Sequence, residues 1–198
     1  MINIYLESKN RSTPEYVFMN TLLHFMNIDT DLFTIVPING KDNLRNSRNQ
    51  FLQNTAEGGI NLIVFDADSP ENLGGYNRRK AEIQNKLLEF GIDSEIFLFP
   101  DNHNDGDFES LLETVARRDL HEPFFSCFND YELCLGDKYV HPNRKGKLHA
   151  YITSMHLSSE KRRNLGGGNW LFEDEEYWNL NADSLKPLKE FLKQYFTA

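Results

Sequence analysis

Cysteine is scarce in this 198-residue chain, which holds only Cys127 and Cys134. No CxxC spacing exists, which excludes a zinc framework or a disulfide scaffold and suits a reducing compartment. Both thiols fall on an expected packing helix and read as small core residues. Long apolar runs are lacking too, and no stretch approaches the length that crosses a bilayer. The N-terminus, M-I-N-I-Y-L-E, has no basic region followed by a long apolar stretch, so a secretory leader is not expected. These absences predict a cytoplasmic protein with no membrane partner. Positive charge is in deficit: 21 Lys and Arg against 30 Asp and Glu leave a formal net charge of −9. That excludes a protein that coats nucleic acid through a broad basic surface, while leaving room for one local patch. None of the six histidines forms an HxH or HxxxH pair. His24 and His149 sit on expected packing helices and read as structural, whereas His103 lies in an acidic loop. No GxGxxG or GKS phosphate cradle, internal repeat or clear linker is present, so a single domain with a sizeable core is the simplest count.

What the chain does have is organised around I-N-L-I-V-F-D-A-D, Ile60 to Asp68. Leu62, Ile63, Val64 and Phe65 are consecutive apolar residues bounded by Gly58-Gly59 and Ser69-Pro70, the pattern of a parallel strand buried on both faces. The run stops at Asp66 and Asp68. Residues two apart on extended backbone share a side, so both carboxylates are expected to leave the strand end together. In open α/β sheets, ligands bind beyond the carboxyl ends of the strands. Two carboxylates there repel each other unless a cation or a shared proton intervenes. A divalent site, magnesium or manganese, follows from oxygen-only ligands. The plainer alternative is a strand-to-loop turn in which both aspartates cap the next helix.

Around that strand, Ile2–Leu6 alternates as a first strand ending at Glu7. Ser12 or Thr13 caps a helix with Pro14 and Glu15 in its first turn, where an acid suits the helix dipole. Residues 32–38 form a second strand and 44–55 a second helix; 76–90 form a helix closed by Gly91, and 92–99 a fourth strand. This alternation predicts a three-layer, Rossmann-like α/β domain with a mostly parallel four-stranded sheet. The stretch P-D-N-H-N-D-G-D-F-E-S-L-L-E is not a calcium loop. With Gly106 as sixth position, His103 and Leu112 would have to serve as third and twelfth ligands. Asp107 instead opens a helix on which Glu109 and Glu113 share a face. Residues 123–135 form an aromatic packing helix. Arg144, Lys145 and Lys147 crowd the start of another, against its dipole, as when positive charge is kept for a ligand; a solvated basic turn is equally plain. Residues 158–169 read as a mobile glycine-rich loop, and 170–198 as an aromatic tail that ends in a helix from about Asp183 to Phe196.

The ordered set I-Y-L-E at Glu7, F-D-A-D at Asp66 and Asp68, the later acids and R-K-G-K-L-H-A-Y-I resembles the TOPRIM domain of topoisomerases and primases. Over residues 2–155 it is similar to small stand-alone bacterial TOPRIM-like proteins and to the TOPRIM parts of OLD-type nucleases. The resemblance implies that Asp107 and Glu109 join Glu7, Asp66 and Asp68 as metal ligands. Lys147, or in second place Lys145, becomes the cation that faces the phosphate. The chain departs from the family's E-G-x-x-D by having Glu7-Ser8 and a longer loop before Glu15, which implies a reshaped corner. The implied activity is metal-dependent cleavage of a phosphodiester in DNA or RNA, with Mg2+ or Mn2+ as cofactor. Nucleic acid would approach over Arg78, Arg79, Lys80, Arg144 and Lys161 to Arg163. One alternative is a non-catalytic TOPRIM-like partner that docks an ATPase or another protein. Another is a haloacid-dehalogenase-type phosphatase, whose D-x-D normally opens its fold, whereas two expected strands precede Asp66.

Overall fold

The computed structural model describes residues 1–165 and 168–196. Strands β1 (Ile2–Leu6), β2 (Phe33–Pro37), β3 (Ile60–Asp66) and β4 (Glu95–Phe99) form one sheet in the order β2-β1-β3-β4. The β1–β2, β1–β3 and β3–β4 pairings are all parallel, with Ile4 opposite both Ile35 and Leu62, and Val64 opposite Phe97. Parallel neighbours require crossovers, and the crossovers place helices on both faces of the sheet. The described helices are α1 (Pro14–Phe25), α2 (Arg48–Ala56), α3 (Tyr76–Phe90), α4 (Phe108–Val115), α5 (Arg118–Leu135), α6 (Arg144–Thr153), α7 (Ser159–Leu165) and α8 (Lys186–Phe196). The result is a three-layer α/β architecture of the Rossmann-like kind.

Side-chain alternation along the strands divides the core into two layers. Ile2, Ile4, Leu6, Leu62, Val64, Phe97 and Phe99 face α1, α4, α6, α8 and the aromatic segment near the C-terminus. Tyr5, Ile63, Phe65 and Leu98 face α2 and α3 on the other side. There the ring of Tyr5 stacks on Phe51 at 3.6 Å between centroids. Asn61, buried on the same side, donates to the carbonyls of Phe51 and Asp93 and accepts from Asn54 at 2.9 Å. Buried amides are tolerated where their hydrogen bonds are made in this way.

Local signals explain most of the element ends. The Thr13 hydroxyl accepts from Tyr16 N–H at the start of α1, and Gly91 closes α3 at a φ of 63°. Asp107 and Ser110 form a reciprocal capping box at the start of α4. Other expectations are corrected. The second helix is split into a 3-10 turn (Lys41–Arg45) and α2. Residues 159–165 are helical rather than loop, held by burial of Leu165 and a 2.6 Å ion pair from Lys161 to Asp174. The remainder of that expected mobile loop includes Gly166 and Gly167, which lie outside the described residues. The aromatic helix begins at Arg118, with a break at His121 (φ −122°, ψ 27°) where Pro123 offers no N–H to the preceding turn. Phe125, not the cysteines, fills its core-facing side: Cys127 and Cys134 are exposed free thiols. The last helix runs over Asp183–Phe196 as expected, through a 3-10 turn and α8. Before that, Phe172 and Trp178 are fully buried in an irregular segment, with Trp178 Nε1 donating to the Trp170 carbonyl at 2.7 Å. Among the described residues no helix is long and apolar enough to cross a membrane.

Candidate functional site

The strand order reverses direction between β1 and β3, so their carboxyl ends border the crevice in which α/β sheets hold ligands. Glu7 is the first residue past β1 and Asp66 the last of β3. One Glu7 oxygen accepts the backbone N–H of Lys41 at 3.2 Å and the other that of Asp66 at 3.4 Å. Asp66 continues the register of Leu62 and Val64, which directs it to the layer of α1 and α4. Its Oδ1 accepts the N–H of Phe108, the first residue of α4, at 2.8 Å. Glu15 arrives from the first turn of α1 and Glu109 from the first turn of α4. The positive end of each helix favours those acids.

These carboxylates are close enough to disturb one another. Asp66 is held well above the usual carboxylate range, first by burial and then by the negative charges of Glu15, Glu7 and Glu109, against the Phe108 amide. Glu15 is pushed up to about 7 by burial, with Glu109 and Glu7 adding and Lys145 opposing. Burial also raises Glu7; the Lys41 and Asp66 amides and Arg79 oppose the rise, and Asp68 adds to it. Asp68, Glu7 and Asp66 at strand ends and Glu15 and Glu109 at helix starts all belong to the sheet's carboxyl edge, a row of acids by topology. Arg79 stands at its Asp68 end and Lys145, 3.2 Å from Glu109, at the other. Ser8, where the resembled family has glycine, is buried beside Glu7, and its hydroxyl has no hydrogen-bond partner among the described residues.

The remaining sequence-derived residues are placed differently. Asp66 and Asp68 do not leave on one side, because the two-residue rule holds only while the chain is extended. Asp68 has a φ of 60°, its carbonyl accepts from Gly106 N–H at 3.0 Å, and its carboxylate pairs with Arg79 of α3. Asp107 uses its carboxylate to cap α4 and meets Arg144 at 3.4 Å. Lys147 turns to Glu113 and Glu132 at 3.7 and 3.9 Å, so the lysine at the acid row is Lys145. The basic start of α6 is thus offset by the acids of α4. Arg79 is 3 % exposed and cannot meet nucleic acid. Arg144 and Lys161 are tied to Glu113 and Asp174, whereas Arg78 and Arg163 are exposed. His103 is exposed in the 100–106 loop, and His149 is exposed on α6. A cleft of about 510 Å³, lined by Ser110, Glu113, Arg118 and Arg144 among others, runs along α4.

Glu15 was legible only as a helix-start residue. The overlooked signal is topological: a helix that follows a parallel strand begins at that strand's carboxyl end, so Pro14-Glu15 belongs to the same edge as Glu7. The donors of the row are all oxygens, the chemistry of magnesium, manganese or calcium rather than of a thiolate or imidazole site. Their crowding and the raised affinity of Asp66, Glu15 and Glu7 for protons suit a divalent cation as the natural counter-charge. As the side chains stand, no three acids, histidines or cysteines among the described residues converge closely enough to hold an ion. Compared with protein-family models, curated proteins and solved structures, the chain matches none.

Proposed function

We propose that the chain is a TOPRIM-like, metal-dependent enzyme that cleaves phosphodiester bonds in DNA or RNA. The observation that carries this reading is that Glu7 and Asp66 end β1 and β3, joined through the Asp66 N–H, while Glu15 and Glu109 open α1 and α4 at the same carboxyl edge. Those four carboxylates would hold Mg2+ or Mn2+. When bound, such an ion activates water and stabilises the leaving oxygen of an in-line displacement. Glu15 supplies the acid that the family's E-G-x-x-D places nearer the first strand. Lys145 is the side chain suited to neutralise the crowded phosphoryl oxygens. Its present partner, Glu109, would turn toward the cation and release it. The backbone amides of Lys41, Asp66 and Phe108 orient Glu7 and Asp66, so these two ligands are already aimed by the fold. The exposed free cysteines suit a cytoplasmic setting.

A second reading, a non-catalytic partner that docks an ATPase or another protein, is favoured by the absence of a converged three-ligand group among the described residues. The phosphatase reading loses support. Its D-x-D normally opens the fold, whereas β1 and β2 precede Asp66 here, and Asp68 is engaged by Arg79. Calorimetric titration with Mn2+, followed by a cleavage assay on single- and double-stranded DNA and RNA, separates the readings. Binding with cleavage supports the enzyme. Binding without cleavage supports the partner, and no binding at millimolar metal overturns the metal centre.

A further inference from the structure

Arg79 lies in the first turn of α3 and is 3 % exposed. Its guanidinium forks between the Asp68 carboxylate and Glu82, the latter at 2.6 Å, while its Nε–H has no hydrogen-bond partner among the described residues. A buried guanidinium is costly unless its partners are well placed. Here the partner is placed by the backbone on several sides. Asp68 has a left-handed conformation, and its carbonyl accepts from Gly106 N–H at 3.0 Å. The Ala67 carbonyl accepts from Gly75 N–H at 2.9 Å. Gly74 approaches so closely that a Cβ there would lie 2.3 Å from Asp68 Cβ. The turn thus fixes where the Asp68 side chain begins, and the direction of its carboxylate is set by the pair with Arg79. Glu82 in turn faces Lys86, which reaches Asp42 at 2.9 Å in the 3-10 turn whose first amide binds Glu7. The ion pairs therefore tie α3 to the segment that orients Glu7.

We infer that Arg79 is a positioning residue that holds Asp68 out of the cation's coordination set, leaving Glu7, Glu15, Asp66 and Glu109 as its donors. The inference rests on the reading of the acid row as a cation site, and it removes one member of the D-x-D pair from that site. Asp68 carries the counter-charge of Arg79, and the positive charge of Arg79 opposes the burial that disfavours ionised Glu7.

The test is Mn2+ titration of the full chain, with urea unfolding in parallel. Neutralising both partners, in Asp68→Asn with Arg79→Met, avoids a lone buried charge and should leave Mn2+ affinity within about twofold of the parent. Arg79→Met alone frees Asp68 beside the row, so it should tighten Mn2+ binding while lowering stability. A merely structural arginine would not move those two readouts in opposite directions. Asp66→Asn should weaken Mn2+ binding by at least about tenfold. If the double variant loses binding as Asp66→Asn does, Asp68 is a ligand and the inference is overturned, although the metal centre stands. If the parent itself binds no Mn2+, the metal centre falls, and this assignment of donors falls with it.

Discussion

One carboxylate oxygen of Glu7 accepts the backbone N–H of Asp66 at 3.4 Å, joining the ends of two neighbouring parallel strands. This contact aligns the first acid of the chain with the central one. The expected consequences can each be measured.

Replacing Asp66 by Asn keeps an oxygen for the Phe108 N–H but removes the charge that Glu15, Glu7 and Glu109 oppose. The variant should fold, show unchanged far-ultraviolet circular dichroism, and lose metal-dependent cleavage of nucleic acid. Equal cleavage by variant and parent would remove the basis of the proposed activity.

Glu15 titrates near 7 in the folded chain against 4.5 for the free side chain. The folded state therefore binds the extra proton between those values. Its contribution to stability is complete below the unfolded pKa and is lost as pH rises through the folded one. Glu15→Gln does not titrate. Its stability relative to the parent should increase between about pH 4 and pH 8, by on the order of 2 kcal/mol. Urea unfolding across that range checks the sign, and Mn2+ should offset the parent's loss most at the alkaline end. A parent stability that climbs through the same window would contradict the crowding of the row.

Lys145 and Lys147 lie two residues apart on α6 and face different acids. Lys145→Ala should lower the cleavage rate by about 10²-fold, the scale of losing one charge-stabilising donor in a transition state. Lys147→Ala should leave the rate close to the parent and act on the packing of α4, α5 and α6. A reversal of the two effects would restore the order expected from the sequence.

Gly74 is constrained by close approach rather than by its own dihedral angle. An added Cβ would fall 2.7 Å from the Ala67 carbonyl oxygen as well as against Asp68. Gly74→Ala should therefore destabilise the chain by about 1–3 kcal/mol, read from the urea midpoint. Gly40→Ala, at a position with open space around it, should report only the strain of a φ of 99°.

Much of the architecture could be read in advance because buried parallel strands leave continuous apolar runs. Leu62 to Phe65 is such a run, and the pairing of β3 with both β1 and β4 explains it. Caps were legible for the same local reason: Thr13, Asp107 and Gly91 act within four residues of themselves. The burial of Trp178 was not legible, because its segment has no periodic pattern. Its indole is enclosed by Tyr151 and Phe172, which are distant in sequence from each other.

Within the acid row, the amino-acid order alone specifies that Glu7 and Asp66 end two strands. Alternating side chains and apolar runs are short-range properties, and they survive whatever the helices do. The inclusion of Glu15, the withdrawal of Asp68 onto Arg79 and the choice of Lys145 over Lys147 belong to the assembled molecule. Each depends on a turn outside the extended backbone or on the rotation of one helix against another, and no neighbouring residue records either.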